Sequence, residues 1–149
     1  MQSEKLSYPG IAGAVAGIVG LFGVYASWFE VSGPGGSLKL DGTADASGKL
    51  ALAMALALFA FSVAYVLLDD PRVRRSMAAL MTVTAVVLTL AVVWGITRAD
   101  GTDLAFGIWL SGLGGVLGVG AGILTLRDAP PDGELADDAE PVVPENTPA

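Results

Sequence analysis

Four stretches of this chain, residues 9–28, 50–68, 77–96 and 104–126, contain no Asp, Glu, Lys or Arg. Each can cross a hydrocarbon layer about 30 Å thick, which takes roughly 20 residues as an α-helix. No water is available there to satisfy backbone N–H and C=O groups, so each span must bond within itself as a helix. The pattern predicts an all-α membrane protein with a four-helix transmembrane bundle over residues 1–126. Composition agrees, because 15% of the residues are charged where a soluble domain carries about a quarter. A secretory leader cleaved near Val24-Tyr25-Ala26 is the competing reading of the first run. The length of that run, and Glu4 beside Lys5, favour a retained helix.

Orientation follows from Lys and Arg in the short connections. Lys5, the cluster Arg72, Arg74 and Arg75, and Arg127 fall on one side; Lys39, Lys49 and Arg98 fall on the other. Three arginines within residues 69–76 predict that this loop and both termini are cytoplasmic. Trp28, Trp94 and Trp109 stand near the outer ends of their runs, where they are expected to anchor the bundle at the membrane–water interface.

The net charge of −7 is uneven: residues 1–126 carry seven basic and eight acidic side chains, residues 127–149 one basic and seven acidic. This last segment, rich in proline, has too little apolar surface to offset its ordering entropy. It is expected to be a disordered acidic cytoplasmic tail. The outer loop, residues 29–49, reads differently. Phe29-Glu30-Val31 and Leu38-Lys39-Leu40 alternate with the strand period around Ser32-Gly33-Pro34-Gly35-Gly36, which predicts a small extracytoplasmic β-hairpin. Asp41, Thr43, Asp45 and Ser47 then place oxygens at every second position, as a calcium loop does. Ala46 stands where that loop needs glycine and Leu52 where it needs glutamate, so a plain turn is expected.

The chain has no Cys and no His, which removes disulfides, thiolate chemistry and most zinc, haem and iron–sulfur ligation. No ionisable residue lies within the four runs, which disfavours proton pumping, ion-coupled transport and voltage sensing. No catalytic residue, metal ligand or cofactor is assigned. The helices do carry small residues at packing intervals. Gly114, Gly118 and Gly122 form GxxxGxxxG, with Gly107, Ser111 and Gly115 in an adjacent row, and the first helix offers Gly13, Gly17 and Gly20. Such rows let backbones approach closely. Two arrangements remain open: the first and fourth helices pack together, or one row is an interface to another chain. Thr82, Ala85 and Thr89 form a mildly polar stripe on the third helix. It could line a path for water, although hydroxyls bonded to their own helix explain it more simply.

The first helix ending in Trp28, the glycine-rich loop closing with Gly48-Lys49-Leu50, the turn Pro71-Arg72-Val73-Arg74-Arg75 and Gly107-Ile108-Trp109 before glycine repeats together resemble small four-helix membrane proteins of archaea and actinobacteria. In topology the chain is also similar to claudin-type tetraspan proteins, whose first outer loop mediates contact between neighbours. The paired cysteines of that loop and its Trp-Gly-Leu-Trp motif are absent here, so no functional residue is carried over.

These features predict a non-catalytic multi-pass membrane protein acting by association, either as an accessory or structural subunit of a membrane complex or as a homo-oligomer. Its expected partners are the lipid bilayer and other membrane subunits or itself. Neither nucleic acid nor a small-molecule ligand is indicated. The alternative is a small pore or transporter that selects by shape. An enzyme at headgroup level using Glu30, Asp41 or Asp45 is a third and weaker reading.

Overall fold

Two aspartates determine where two of the helices begin. The structure, a computed structural model, describes residues 8–99 and 103–128. In it the Asp45 carboxylate accepts the backbone N–H and the hydroxyl of Ser47, starting α2 (Ala46–Leu67). Asp70 accepts the N–H groups of Arg72 and Val73 and starts α3 (Pro71–Thr97). Each satisfies orphan donors of a first helical turn. Pro71 occupies a position where its missing N–H costs nothing. Both helices therefore begin before their apolar runs, at 46 instead of 50 and at 71 instead of 77. Arg72, Arg74 and Arg75, expected in a loop, stand on the first two turns of α3.

Helix α1 spans Tyr8–Tyr25 and α4 spans Phe106–Asp128. All four helices are long and apolar enough to cross a membrane. Arg127 and Asp128, expected in the tail, close α4. The remainder of the expected tail, residues 129–149, lies outside the described residues, as does Lys5.

The helices form a ring in which α1 and α3 each pack against both α2 and α4. Contacts fix the directions. Along α1, Gly13, Gly17 and Gly20 meet Ser62, Phe59 and Ala55 in turn, so α2 runs antiparallel to it. Gly20 and Gly23 meet Gly114 and Ser111, while Gly112, Gly115, Gly118 and Gly122 meet Val92, Thr89, Ala85 and Thr82, so α4 is antiparallel to both α1 and α3. Leu58, Met81 and Leu88 are wholly buried with Ala16, Ala55 and Ala85. These residues fill the interior, with alanine and glycine setting how closely the helices approach.

The chain is not purely helical. Strands β1 (Ser27–Gly33) and β2 (Gly36–Asp41) form the expected hairpin, and β3 (Asp103–Leu104), which was not expected, pairs with the other edge of β1. Gly36 has φ +122° at the turn, a conformation that a Cβ would strain. A single 3-10 turn, Gly42–Ala44, leads from the hairpin into α2.

The hydroxyl of Ser47 holds the Asp45 carboxyl below its ordinary value of 3.8, helped by the N–H groups of Ser47 and Ala46 and the charge of Arg98, with partial burial opposing. A folded pKa below the unfolded one means that the cap's contribution is complete above about pH 4 and is lost as pH falls through the lower folded value. Asp45→Ala is expected to cost about 1 kcal/mol at neutral pH. In mild detergent, thermal unfolding followed by circular dichroism should show this deficit, and it should shrink as the pH drops below 3.8.

Candidate functional site

The residues singled out by sequence fall into three places: the helix contacts, the sheet end of the bundle and the opposite, arginine-bearing end. At the contacts, all nine small residues, Gly13, Gly17, Gly20, Gly107, Ser111, Gly114, Gly115, Gly118 and Gly122, are buried within the chain itself. A Cβ at Gly114 would lie 2.6 Å from the Gly20 nitrogen and 2.8 Å from the Ala16 carbonyl oxygen. At Gly107 it would lie 2.7 Å from the carbonyl oxygens of Gly23 and Ser27. The α1–α4 contact is thus backbone on backbone, which only a residue without a side chain permits. Gly118 faces Leu58 and Ala85, and Gly115 and Gly122 face Thr89 and Thr82. Of the two arrangements left open by sequence, packing within one bundle accounts for these rows.

The hydroxyls inside this packing are turned onto their own helices. Thr82 donates to the Ala78 carbonyl at 3.0 Å and Thr89 to Ala85 at 2.9 Å. Buried Ser62 and Thr125 donate to Leu58 and Gly122. The stripe on α3 lies at the contact with α4, where Thr82 and Thr89 stand against Gly122 and Gly115. Ser111 differs, because its Oγ is buried without a hydrogen-bond partner, enclosed where α4 crosses Gly23.

At the sheet end, Trp94 and Trp109 are exposed, 38% and 59%. The guanidinium of Arg98 lies 4.4 Å from the Trp94 ring centre. Trp28 departs from expectation. It belongs to β1 instead of α1, at a shift in the β1–β2 register, and is completely buried. Such an irregularity re-aims a strand side chain, here into the bundle. The indole N–H donates to the Gly23 carbonyl at 3.0 Å, one of the carbonyls that the end of α1 leaves unsatisfied. With its polar group paired, the ring can be buried at no polar cost. Gly42 and Gly95 lie against it, since a Cβ on either would come within 2.7 Å and 3.0 Å of the ring. Gly48 in turn packs on the backbone of Gly42. No packing role for Gly42, Gly48 or Gly95 was legible in sequence, because the Trp28 ring they gather around comes from a different segment of the chain.

Oxygen-bearing residues in the loop are engaged as caps. Asp41 accepts the N–H and hydroxyl of Thr43 at 2.9 Å and 2.6 Å, as Asp45 does for Ser47. Their alternate spacing, which resembled a calcium loop, serves two consecutive helix starts. Among the described residues, no three His, Cys, Asp or Glu residues group as metal ligands. At the arginine end, Arg74 stacks 4.7 Å from the Tyr65 ring centre and ties the start of α3 to the end of α2. Compared with known proteins, the chain matches no family model, no curated protein and no solved structure.

The assignment of the glycines to internal contacts gives a direct test. Gly118→Leu should destabilise the bundle by about 3 kcal/mol or more through overpacking. Gly120→Ala, where an added Cβ meets nothing within 4 Å, should lose nothing. Unfolding and size-exclusion profiles in mild detergent, compared for the two variants, check this. A Gly118→Leu chain as stable as wild type would remove the packing role.

Proposed function

We propose that this is a non-catalytic multi-pass protein of a prokaryotic cell membrane that acts by association, as an accessory or structural subunit of a membrane complex or as a homo-oligomer. The observation that carries the reading is the filled interior: Leu58, Met81 and Leu88, all wholly buried, occupy the space between the four helices. A pore or transporter needs a polar or open route through that space, and the hydroxyls nearest to it are bonded to their own helices. A headgroup-level enzyme is disfavoured in the same way, since Asp41 and Asp45 are held as caps. What remains available to a partner is the outside of the molecule.

With its glycine faces used within the chain, the bundle offers the three-stranded sheet as its most patterned outer surface. In this reading the arginine-bearing end, with both termini, is cytoplasmic, and the sheet lies outside. That orientation rests on the positive-inside bias. The resemblance to small four-helix membrane proteins of archaea and actinobacteria fits the same reading.

Native mass spectrometry of the untagged protein, released from its own membrane in the mildest effective detergent, tests the associative role. The expected result is a mass above 15.1 kDa. Added mass from other polypeptides identifies an accessory subunit and its complex, whereas a whole multiple identifies a homo-oligomer. Recovery as a monomer alone would overturn the reading.

A further inference from the structure

The hairpin has two unlike faces. Successive strand residues point to opposite sides and directly paired residues share a side. The β1–β2 register sets Phe29 opposite Leu40 and Val31 opposite Leu38, and the β1–β3 register adds Leu104 opposite Phe29. These five form one apolar face. Glu30 opposite Lys39, Ser32 opposite Ser37, and Asp103 opposite Glu30 form the polar one. The apolar face is the one resting on the helix ends, because Phe29 and Leu104 pack against the buried core. Farther out along the same face, Val31 and Leu38 are 41% and 63% exposed.

We infer that this outer half of the hairpin lies on the membrane surface, with Val31 and Leu38 immersed at the boundary between headgroups and acyl chains. The inference rests on the membrane reading proposed above. A face seated on helix ends looks toward the bilayer, and where it extends past the bundle it meets lipid. The neighbouring surface continues it: Tyr25, Phe106 and Trp109, at the ends of α1 and α4 nearest the sheet, are 65%, 73% and 59% exposed, as residues of a membrane interface are. A protein partner fits this face poorly. Two side chains expose on the order of 200 Å², whereas a stable interface takes about 800 Å² from each side. Lipid needs no minimum patch, because apolar area gains by the amount it buries. Glu30 and Lys39, on the opposite face, stay in water.

Because the chain has no cysteine, single spin labels can test this in the full-length protein reconstituted in phosphatidylcholine vesicles. Labels are placed through Leu38→Cys, Lys39→Cys and, on the exposed middle of α4, Leu117→Cys. Collision with oxygen, which concentrates in lipid, is compared with collision with a water-soluble nickel chelate. The labels at 38 and 117 are expected to favour oxygen several-fold, and the label at 39 to favour nickel several-fold. If 117 favours oxygen while 38 behaves like 39, the hairpin stands in water and the inference fails with the membrane reading intact. A label at 38 shielded from both reagents would mean that protein, a second copy or a partner, covers the face, which also overturns it. A label at 117 favouring nickel would overturn the membrane reading itself.

Discussion

Where α1 crosses α4, Gly114 meets the backbone of Ala16 and Gly20, Gly23 meets Ser111, and Gly107 meets Gly23 and Ser27. Along this line backbone lies against backbone, with the small Ser111 side chain enclosed at Gly23. In a lipid solvent the hydrophobic effect does not draw helices together, and close packing supplies much of the attraction. The rest of the architecture follows from that contact. It joins the first and last of the four described helices, leaving α2 and α3 to close the ring, and it sets the end of α1 beside the start of α4. The segments next to that junction are β1 and β3. Their pairing, which extends a two-stranded hairpin into a sheet, is a consequence of a helix contact and not of any strand signal in Asp103-Leu104. A lone hairpin is marginal in water, and this one is fixed at its base by Trp28 inside the bundle and by β3 on its edge.

Close backbone packing also governs the polar groups. Ser and Thr hydroxyls in lipid either bond their own helix or seek a neighbour, and four of those inside this bundle, on Ser62, Thr82, Thr89 and Thr125, bond their own helix. Glycine makes this geometry possible on α3, since Thr82 and Thr89 stand against Gly122 and Gly115, where any side chain would meet the hydroxyl. The same logic applies at the sheet end, where Gly42 and Gly95 leave the space that the Trp28 ring occupies. Small residues here serve as much to admit particular large or polar groups as to bring helices together.

The four spans were legible because the lack of charge over some 20 residues has one structural solution in lipid. Their ends were less so. Apolar runs report where side chains enter hydrocarbon, whereas helices start at their caps, so Asp45 and Asp70 move α2 and α3 outward and take the arginines onto a helix. Trp28 was misplaced for a related reason: its position at the end of an apolar run suits an interfacial anchor, and nothing local reveals that the Gly23 carbonyl can satisfy its indole. The glycine rows were visible, but their partners were not. A four-residue step overshoots one helical turn by about 40°, so a GxxxGxxxG row rotates by about 80° along its length. Gly114 therefore faces α1, Gly118 the bundle interior, and Gly122 α3. Gly107, Ser111 and Gly115 divide between α1 and α3 in the same way. A sequence repeat that looks like one interface is spread over three.

That rotation bears on what such a protein can offer a partner. A row of glycines left on one outer face would be a ready contact for another helix, but a row consumed by three internal neighbours is not. The helix exteriors carry Val15, Phe22, Leu56, Val83, Leu90 and Val116, exposed and apolar, and lipid tails solvate such surfaces as well as another helix would. Selectivity requires groups whose pairing lipid cannot imitate. On the described residues of the sheet, these are Glu30, Lys39 and Asp103 with the hydroxyls of Ser32 and Ser37, set in register on the face turned away from the bundle. An associating role for this chain would thus have to draw its discrimination between partners from these few polar positions on the sheet, since the apolar helix exteriors offer a partner helix little that lipid does not.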